Sequence, residues 1–363
     1  MITHMPTNSI TCRDCGKQVT QYSHVQAEPI CFSCLDANYS ECTGCGEQRH
    51  RDDLDYCDHD NLYCSSCECT CYSEEDDDGP FRATDERTDE YLGQRRGRIV
   101  KSLRPFGVEI ECHLQGKGRY EILDELPRAV GVGPDRSLGP EGIEIRTPRL
   151  SGAKGEQLIR FITNRLDKYS VKVNRACGLH IHLDTADVVS ALHLGNLWAL
   201  YLAFEDVLFS LLPPSRRGNH YCLALRRYFH AQEILECSTR ERLEEIWYRA
   251  RDSEEVNKLK VIKSHSSRYI GLNLHSLFHA NHAEIRYHSG TTDPHKILQW
   301  VNLHALLFDK AKEAEAIRLI NSALNEVHLT RKSALLFDFL ELSRGSRAYL
   351  AARQRLFADS NPT

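Results

Sequence analysis

The sequence predicts an α+β protein preceded by a small cysteine-rich module. Three observations carry this. Closely spaced cysteine pairs crowd the chain before residue 72, and short stretches of apolar–polar alternation recur between residues 105 and 290. Longer apolar stripes of helical period lie between and after them.

At 363 residues the chain can hold a sizeable core and two domains. A hydrophobic content of 41% and a charged content of 27% are ordinary for a globular protein. Thr3, His4, Asn8, Cys12 and Arg13 break up any secretory h-region at the start. The longest apolar run, 188–212, carries His193, Glu205 and Asp206 and reads as a buried helix rather than a membrane span. A cytoplasmic protein without a membrane segment is expected.

The first expected domain is residues 1–72. Eleven of the fifteen cysteines lie there. Without a secretion signal, such pairs favour metal over disulfides. Cys12-x2-Cys15 is followed by Cys31-x2-Cys34, and Cys42-x2-Cys45 by Cys64-x2-Cys67. Two cysteines separated by two residues can offer both thiolates to one tetrahedral ion, and a hairpin brings back the second pair. Gly16 and Gly46 follow the first pair of each unit, so the module reads as a tandem repeat with two structural zinc sites. Sequential pairing (12/15/31/34 and 42/45/64/67) is favoured, although interleaved pairing also fits, and Cys57, Cys69 and Cys71 are spare. Residues 1–71 carry four Lys/Arg against eleven Asp/Glu, a net of −7. That charge argues against a nucleic-acid partner, whose backbone is bound through Lys and Arg. Docking of a protein or a structural role fits better.

Residues 73–104 read as a flexible acidic linker: Glu74-Glu75-Asp76-Asp77-Asp78-Gly79-Pro80 opens a stretch with little periodicity. Residues 105–363 form the main domain, with a helical C-terminal part. Strands are expected at 105–113, 142–147, 178–184 and 282–289, with another near 268–275. Helices are expected at 153–168, 187–211, 239–250, 294–308 and 310–324, with two more within 330–357. Pro148, Pro213-Pro214 and Asp293-Pro294 punctuate them.

The strands carry the chemistry. Glu109 and Glu111 sit two apart, so both carboxylates face one side of a strand. Glu144 and Glu284 are placed likewise on theirs, and His180 and His182 form a His-x-His pair. Such oxygen and imidazole donors suit Mg²⁺ or Mn²⁺. Arg286 follows Glu284 on the same face, Arg268 precedes another strand-like stretch, and Arg216 lies in a loop. Guanidinium forks match phosphate oxygens. No Gly-x4-Gly-Lys-[Ser/Thr] loop is present, which excludes a P-loop NTPase.

Taken in order, FGVEIE (106–111), DRSL (135–138), GIEIRTP (142–148), CGLHIHLD (177–184), PSRRGNHY (214–221), RYIGLNL (268–274) and AEIRYHSGT (283–291) resemble the amidoligase family of the glutamine synthetase/carboxylate–amine ligase superfamily. The resemblance covers about residues 105–308. It implies a glutamine synthetase-like antiparallel sheet with helices packed on one side, ATP as cofactor, and ATP-dependent amide formation through an acyl phosphate. It also implies that Glu109 and Glu111 split between two Mg²⁺ or Mn²⁺ sites. Glu144 would complete one, and His180 and Glu284 the other. His182, Arg268 and Arg286 would contact ATP phosphates and serve catalysis, with Asn273 beside the nucleotide. Asp135, Arg216 and Asn219 would face the carboxylate and amine substrates, which include peptides and proteins. Two departures fall in the substrate pocket: Tyr287-His288 follows Arg286 where a Pro-Asp pair is usual, and Arg136 stands where glycine is common. A metal-dependent hydrolase and a non-catalytic adaptor on a ligase-like scaffold are the competing readings; oligomeric state is open.

Overall fold

The structure is a computed structural model describing residues 9–20, 22–25, 27–42, 47–50, 53–56, 62–64, 98–114, 118–250 and 255–358. The chain divides into two compact units, Met1–Asp77 and Asp78–Thr363.

The first unit is built from hairpins. β1 (Ile10–Thr11) pairs with β2 (Gln18–Val19), and β3 (Tyr22–Val25) with β4 (Glu28–Cys31). Helix α1 (Phe32–Asn38) follows. β5 (Tyr39–Glu41) then pairs with β6 (Gln48–His50), and β7 (Leu54–Tyr56) with β8 (Leu62–Cys64). The tandem reading survives at the level of single hydrogen bonds. Cys12 N donates to Lys17 O at 2.9 Å, and Cys42 N donates to Glu47 O at 2.9 Å. Among the described residues, the buried cluster of this unit consists of Cys12, Val25, Ile30, Cys31 and Tyr39, a small apolar core that a bound metal would supplement.

The second unit is α+β. Its six-stranded antiparallel sheet combines β9 (Phe106–His113), β10 (Gly131–Pro134), β11 (Gly142–Arg146), β12 (Gly178–Asp184), β13 (Leu272–Asn273) and β14 (His282–Ser289). The order across the sheet is β10-β11-β9-β12-β14-β13. Alternation sets the faces. Val108, Ile110, Ile143, Ile145, Leu179, Ile181 and Leu183 are buried in the main core, while their neighbours in sequence point the other way.

Helices cover the apolar face. After α2 (Gly118–Glu125) come α3 (Gly152–Lys168) and α4 (Ala191–Ser210). Helix α4 is apolar on all sides and buried along most of its length, as a central core helix must be. Ser190 caps it, accepting from His193 N at 3.1 Å. Short helices α5 (Ala231–Leu235), α6 (Arg240–Arg249), α7 (Val256–Lys260) and α8 (His275–Ala280) follow. Helix α9 (Pro294–Lys310) opens on Pro294 with Asp293 as its cap, and α10 (Glu315–Asn325), α11 (Leu329–Phe339) and α12 (Arg344–Ala358) complete the chain. No helix among the described residues is long and apolar enough to cross a membrane.

Three elements depart from expectation. The stretch 268–275 yields only two residues of strand, because Ser266–Tyr269 close a 3₁₀ turn and His275 starts α8. β10 is an edge strand of Gly131-Val132-Gly133-Pro134, a composition of low strand propensity. Residues 98–104, expected in the linker, are anchored to the second unit. Ile99 N and Val100 N donate to Glu156 Oε1 at 2.9 and 2.7 Å, and Arg104 pairs with Asp187 and Asp309.

A bulge interrupts β14. Leu179 pairs with His288 and Ile181 with Ile285, so Arg286 and Tyr287 together oppose His180. The extra residue reverses the alternation. Tyr287 and His288 both turn to the helices, Tyr287 against Tyr201 and His304, His288 against Trp300.

Candidate metal and phosphate site

The register of the sheet assembles the polar face. Glu144 on β11 lies opposite Glu111 on β9, Glu109 opposite His180 on β12, and His182 opposite Glu284 on β14, which in turn opposes Asn273 on β13. Residues 175 positions apart thus become near neighbours.

His180 is the hub. Its Nδ1 lies 3.0 Å from Glu109 Oε2 and 3.4 Å from Glu284 Oε1, and its Nε2 lies 3.3 Å from Glu111 Oε1. Glu111 also accepts from the backbone N–H of Gly178. A Cβ on Gly178 would sit 3.0 Å from His180 Nε2 and 3.2 Å from Glu111 Oε2, so glycine lets backbone and carboxylate approach. Glu284 is held from both sides: Asn273 Nδ2 donates to Oε2 at 2.7 Å, and the Arg286 guanidinium pairs with Oε1.

Donor atoms of Glu109, His182 and Glu284 all lie within 4.8 Å of one another. His182 Nε2 approaches Glu109 Oε1 to 3.0 Å, but in a direction that makes no hydrogen bond, and the atom is buried. A buried imidazole nitrogen left in this way, among carboxylate oxygens, is the donor set a divalent cation takes. The electrostatics agree. Burial pushes Glu109 up, but His182 and His180 outweigh it and hold its carboxyl well below the usual range. Burial also raises Glu284, and Arg286, His180 and His182 bring it down to about 2. Burial lowers His182, yet Glu109 and Glu284 lift it to about 8. Glu144 goes the other way: burial, then repulsion from Glu109, Glu111, Asp135 and Glu284, pushes it well above the usual carboxylate range. Carboxylates gathered at this density call for a cation.

The structure therefore brings together Glu109, Glu111, Glu144, His180, His182, Glu284, Asn273 and Arg286. It groups His182, rather than His180, with Glu109 and Glu284 as the candidate ligand set. Arg268 sits in the turn before β13 and stacks over Tyr269 at 5.1 Å; the Arg286 guanidinium lies over the same ring at 5.9 Å. Asp135 accepts from Ser137 N and Oγ at 2.9 and 2.7 Å, and Asn219 Oδ1 accepts from Tyr221 N at 2.8 Å, so both brace their own turns. Arg216 is 2% exposed and donates to backbone carbonyls of β14. Sequence reasoning passed over Tyr269 and His282. The His282 ring lies 5.0 Å from that of His182, and its position two residues before Glu284 was the available signal.

In the first unit the sulfurs of Cys12, Cys15, Cys31 and Cys34 form one cluster, all within 4.8 Å of one another. Gly16 takes φ +68° and donates to Cys12 O at 2.9 Å, closing the knuckle. Cys31 N donates to Cys12 Sγ at 3.3 Å; this bond and that from Cys15 lower the Cys12 thiol to about 6. The cluster is of zinc-ribbon type, with the sequential pairing. Of the second set, Cys42 N makes the bond to Glu47 O that matches Cys12 N to Lys17 O, and Cys64 ends β8 as Cys31 ends β4. Cys45 and Cys67, like Cys57, Cys69 and Cys71, lie outside the described residues.

The fold and site together define an antiparallel-sheet α+β protein with a carboxylate–imidazole cluster on one sheet face and arginine beside it. The sequence comparison is more specific. Residues 134–308 match the model of a family described as "Putative amidoligase enzyme", so the resemblance read from the motifs holds and ligase chemistry is the activity it suggests. The matched segment runs from the end of β10 to the last turns of α9. It includes Glu144, His180, His182, Arg268, Glu284 and Arg286, whereas β9 with Glu109 and Glu111 precedes it. No curated protein matches the chain.

Proposed function

We propose that the second unit is an ATP-dependent carboxylate–amine ligase on a glutamine synthetase-like sheet. The observation that carries the reading is the convergence of Glu109, His182 and Glu284, with Arg286 paired to Glu284. Mg²⁺ or Mn²⁺ held by these residues, and by Glu111 and Glu144, would neutralise and align the triphosphate. Arg286 and Arg268 bind phosphate oxygens and stabilise charge on the transferring phosphoryl group. Asn273 fixes the Glu284 carboxylate in register. The substrate carboxylate attacks the γ-phosphorus, ADP leaves, and the resulting acyl phosphate is attacked by the amine, which expels phosphate. Asp135 and Asn219 would face the acceptor, and a peptide or protein is an allowed acceptor. The N-terminal module, with two zinc ions, serves docking, in a cytoplasmic protein.

The test measures ADP and phosphate release with Mg²⁺ or Mn²⁺ across a panel of carboxylates and amines, with intact mass of the products. Glu284→Gln and His182→Ala should each lower Mn²⁺ affinity at least about tenfold, the size of effect seen on losing one ligand-shell group. Turnover without ATP would establish the hydrolase reading instead. Unchanged Mn²⁺ and nucleotide binding in both folded variants would sink the proposal.

A further inference from the structure

The sequence offers Arg216 as a substrate-binding cation, but its surroundings give it another task. It ends the 3₁₀ turn Pro214–Arg216, and its guanidinium is buried. Nε donates to Tyr287 O at 3.2 Å and Nη2 donates to Arg286 O at 2.7 Å. These are the two carbonyls of the β14 bulge. A planar fork can bridge successive carbonyls at fixed separation, which a lysine ammonium cannot.

The rest of the loop reinforces the same corner. Tyr221 O accepts from Arg286 Nε at 3.3 Å, so one loop holds the backbone of Arg286 and steers its side chain. Leu223 N donates to Tyr269 O at 2.8 Å and Gly271 N to Leu223 O at 2.9 Å, which ties the loop to the β13 edge. Tyr287 is anchored from below. Its hydroxyl donates to Glu205 Oε1 at 2.8 Å, and Glu205 also accepts from Leu225 N and Arg226 N at 2.6 and 3.0 Å. The bulge is where β14 changes face: Arg286 points to the carboxylate cluster and Tyr287 to the helices. A bulge without support can slip by one residue, which would exchange those two side chains between faces.

We propose that Arg216 is a positioning residue: clamped on the carbonyls of the bulge, it aims Arg286 at the anion that docks beside Glu284, and it does not meet that anion itself. The identity of the anion as nucleotide phosphate rests on the ligase reading; the clamp does not.

The experiment uses the full chain and two readouts. Hydrogen exchange is followed by mass spectrometry in Arg216→Met, which keeps length and loses the fork. Amides of residues 283–290 should exchange about tenfold faster than in the unsubstituted protein, equivalent to about 1.4 kcal/mol, with residues 106–113 unchanged. MgATP and, separately, Mn²⁺ alone are then titrated at low and high salt. Arg216→Met should weaken MgATP about tenfold, leave Mn²⁺ affinity as it was and keep the salt dependence; Arg286→Met should flatten that dependence, because it removes the charge the phosphate meets. A role confined to overall stability would not move nucleotide affinity in the folded variant. If Arg216→Met does not fold, Arg216→Lys keeps the charge, loses the fork and should show the same exchange. Unchanged exchange at 283–290 in the variant that folds overturns the clamp. So does a salt dependence flattened by Arg216→Met as much as by Arg286→Met. If the unsubstituted protein binds no MgATP, the nucleotide reading fails while the exchange result still decides the clamp.

Discussion

Gly271→Ala should cripple the corner of the sheet that carries Arg286, and the geometry sets the size of the effect. An ideal Cβ at Gly271 would lie 2.2 Å from Tyr287 Cε1, 2.4 Å from Cζ and 2.6 Å from Cδ1. Carbon atoms pack best at about 3.5–4.0 Å, so the overlap exceeds about 1 Å. The ring has nowhere to go. It is stacked with Tyr201 and His304 at centroid distances of 6.3 and 6.4 Å, meets Phe209 edge-on at 5.4 Å, and is tethered through its hydroxyl to Glu205. Backbone must therefore yield, and with it the bond from Arg286 N to Gly271 O at 2.8 Å. Overpacking costs about 1–3 kcal/mol and a lost hydrogen bond about 1 kcal/mol, so the sum is roughly 3 kcal/mol. At about 2–4 °C per kcal/mol, the second unit should melt roughly 6–12 °C lower by calorimetry. Gly271→Ala combined with Tyr287→Leu should recover part of the loss relative to Tyr287→Leu alone, since the clash and the ring go together. A melting temperature within about 2 °C of the unsubstituted protein, or strict additivity in the double variant, would refute the reasoning.

Other outcomes follow from the same structure. Burial lowers His275 to about 4 and His288 and His304 to about 3, so the folded protein keeps them neutral where the unfolded chain takes up protons below about 6.5. Their contribution is complete above about pH 6.5 and is lost as pH falls towards 4 for His275 and towards 3 for His288 and His304, at up to about 1.4 kcal/mol per pH unit for each histidine. Denaturant titrations at pH 7, 6 and 5 should show a slope shallower by about that amount in His275→Gln, and an identical slope would count against neutral burial. Chelation should unfold the first unit alone, because the apolar cluster among its described residues is too small to replace a metal; amide protection retained across residues 10–42 without metal would contradict this. Glu156→Ala removes the acceptor of Ile99 N and Val100 N and should release residues 98–104 to rapid exchange, at a cost of about 1–3 kcal/mol.

The polar face was legible because a strand has a period of two and one face of this sheet must be buried. Val108 and Ile110 on the core side leave Glu109 and Glu111 no other direction, and the same holds for Glu144 between Ile143 and Ile145 and for His180 and His182 between leucine and isoleucine neighbours. The alternation failed at Tyr287. The sequence continues Glu284, Arg286, His288 as though one face persisted, whereas the bulge sends His288 against Trp300. A bulge is a property of the pairing between two strands, and no single strand announces it. The partners of Arg216 were not legible for a related reason: they are carbonyls, and every residue has one. β10 was invisible because two glycines and a proline form an edge strand only when β11 offers them a partner.

The position of β9 bears on how many cations the face accepts. It is the central strand of the site, between β11 and β12, yet it precedes the matched family segment. From β11 to β14 is three strand spacings of about 4.8 Å, so the glutamates from Glu144 to Glu284 span roughly 14 Å. One cation cannot reach across that width, since its oxygen ligands lie within about 2.6 Å. Glu109, His182 and Glu284 close one set, and Glu111 with Glu144, facing each other across β9 and β11, remain for a second. His180, within 3.4 Å of Glu109, Glu111 and Glu284, stands between the two sets and ties them mechanically. Mn²⁺ titration followed by electron paramagnetic resonance should therefore give two ions at the second unit in protein whose zinc sites are filled. Glu144→Gln should lose one of them and keep the other, and His182→Ala the reverse. A single ion abolished equally by either substitution would mean that the face works as one site, with His180 as a ligand and not a spacer.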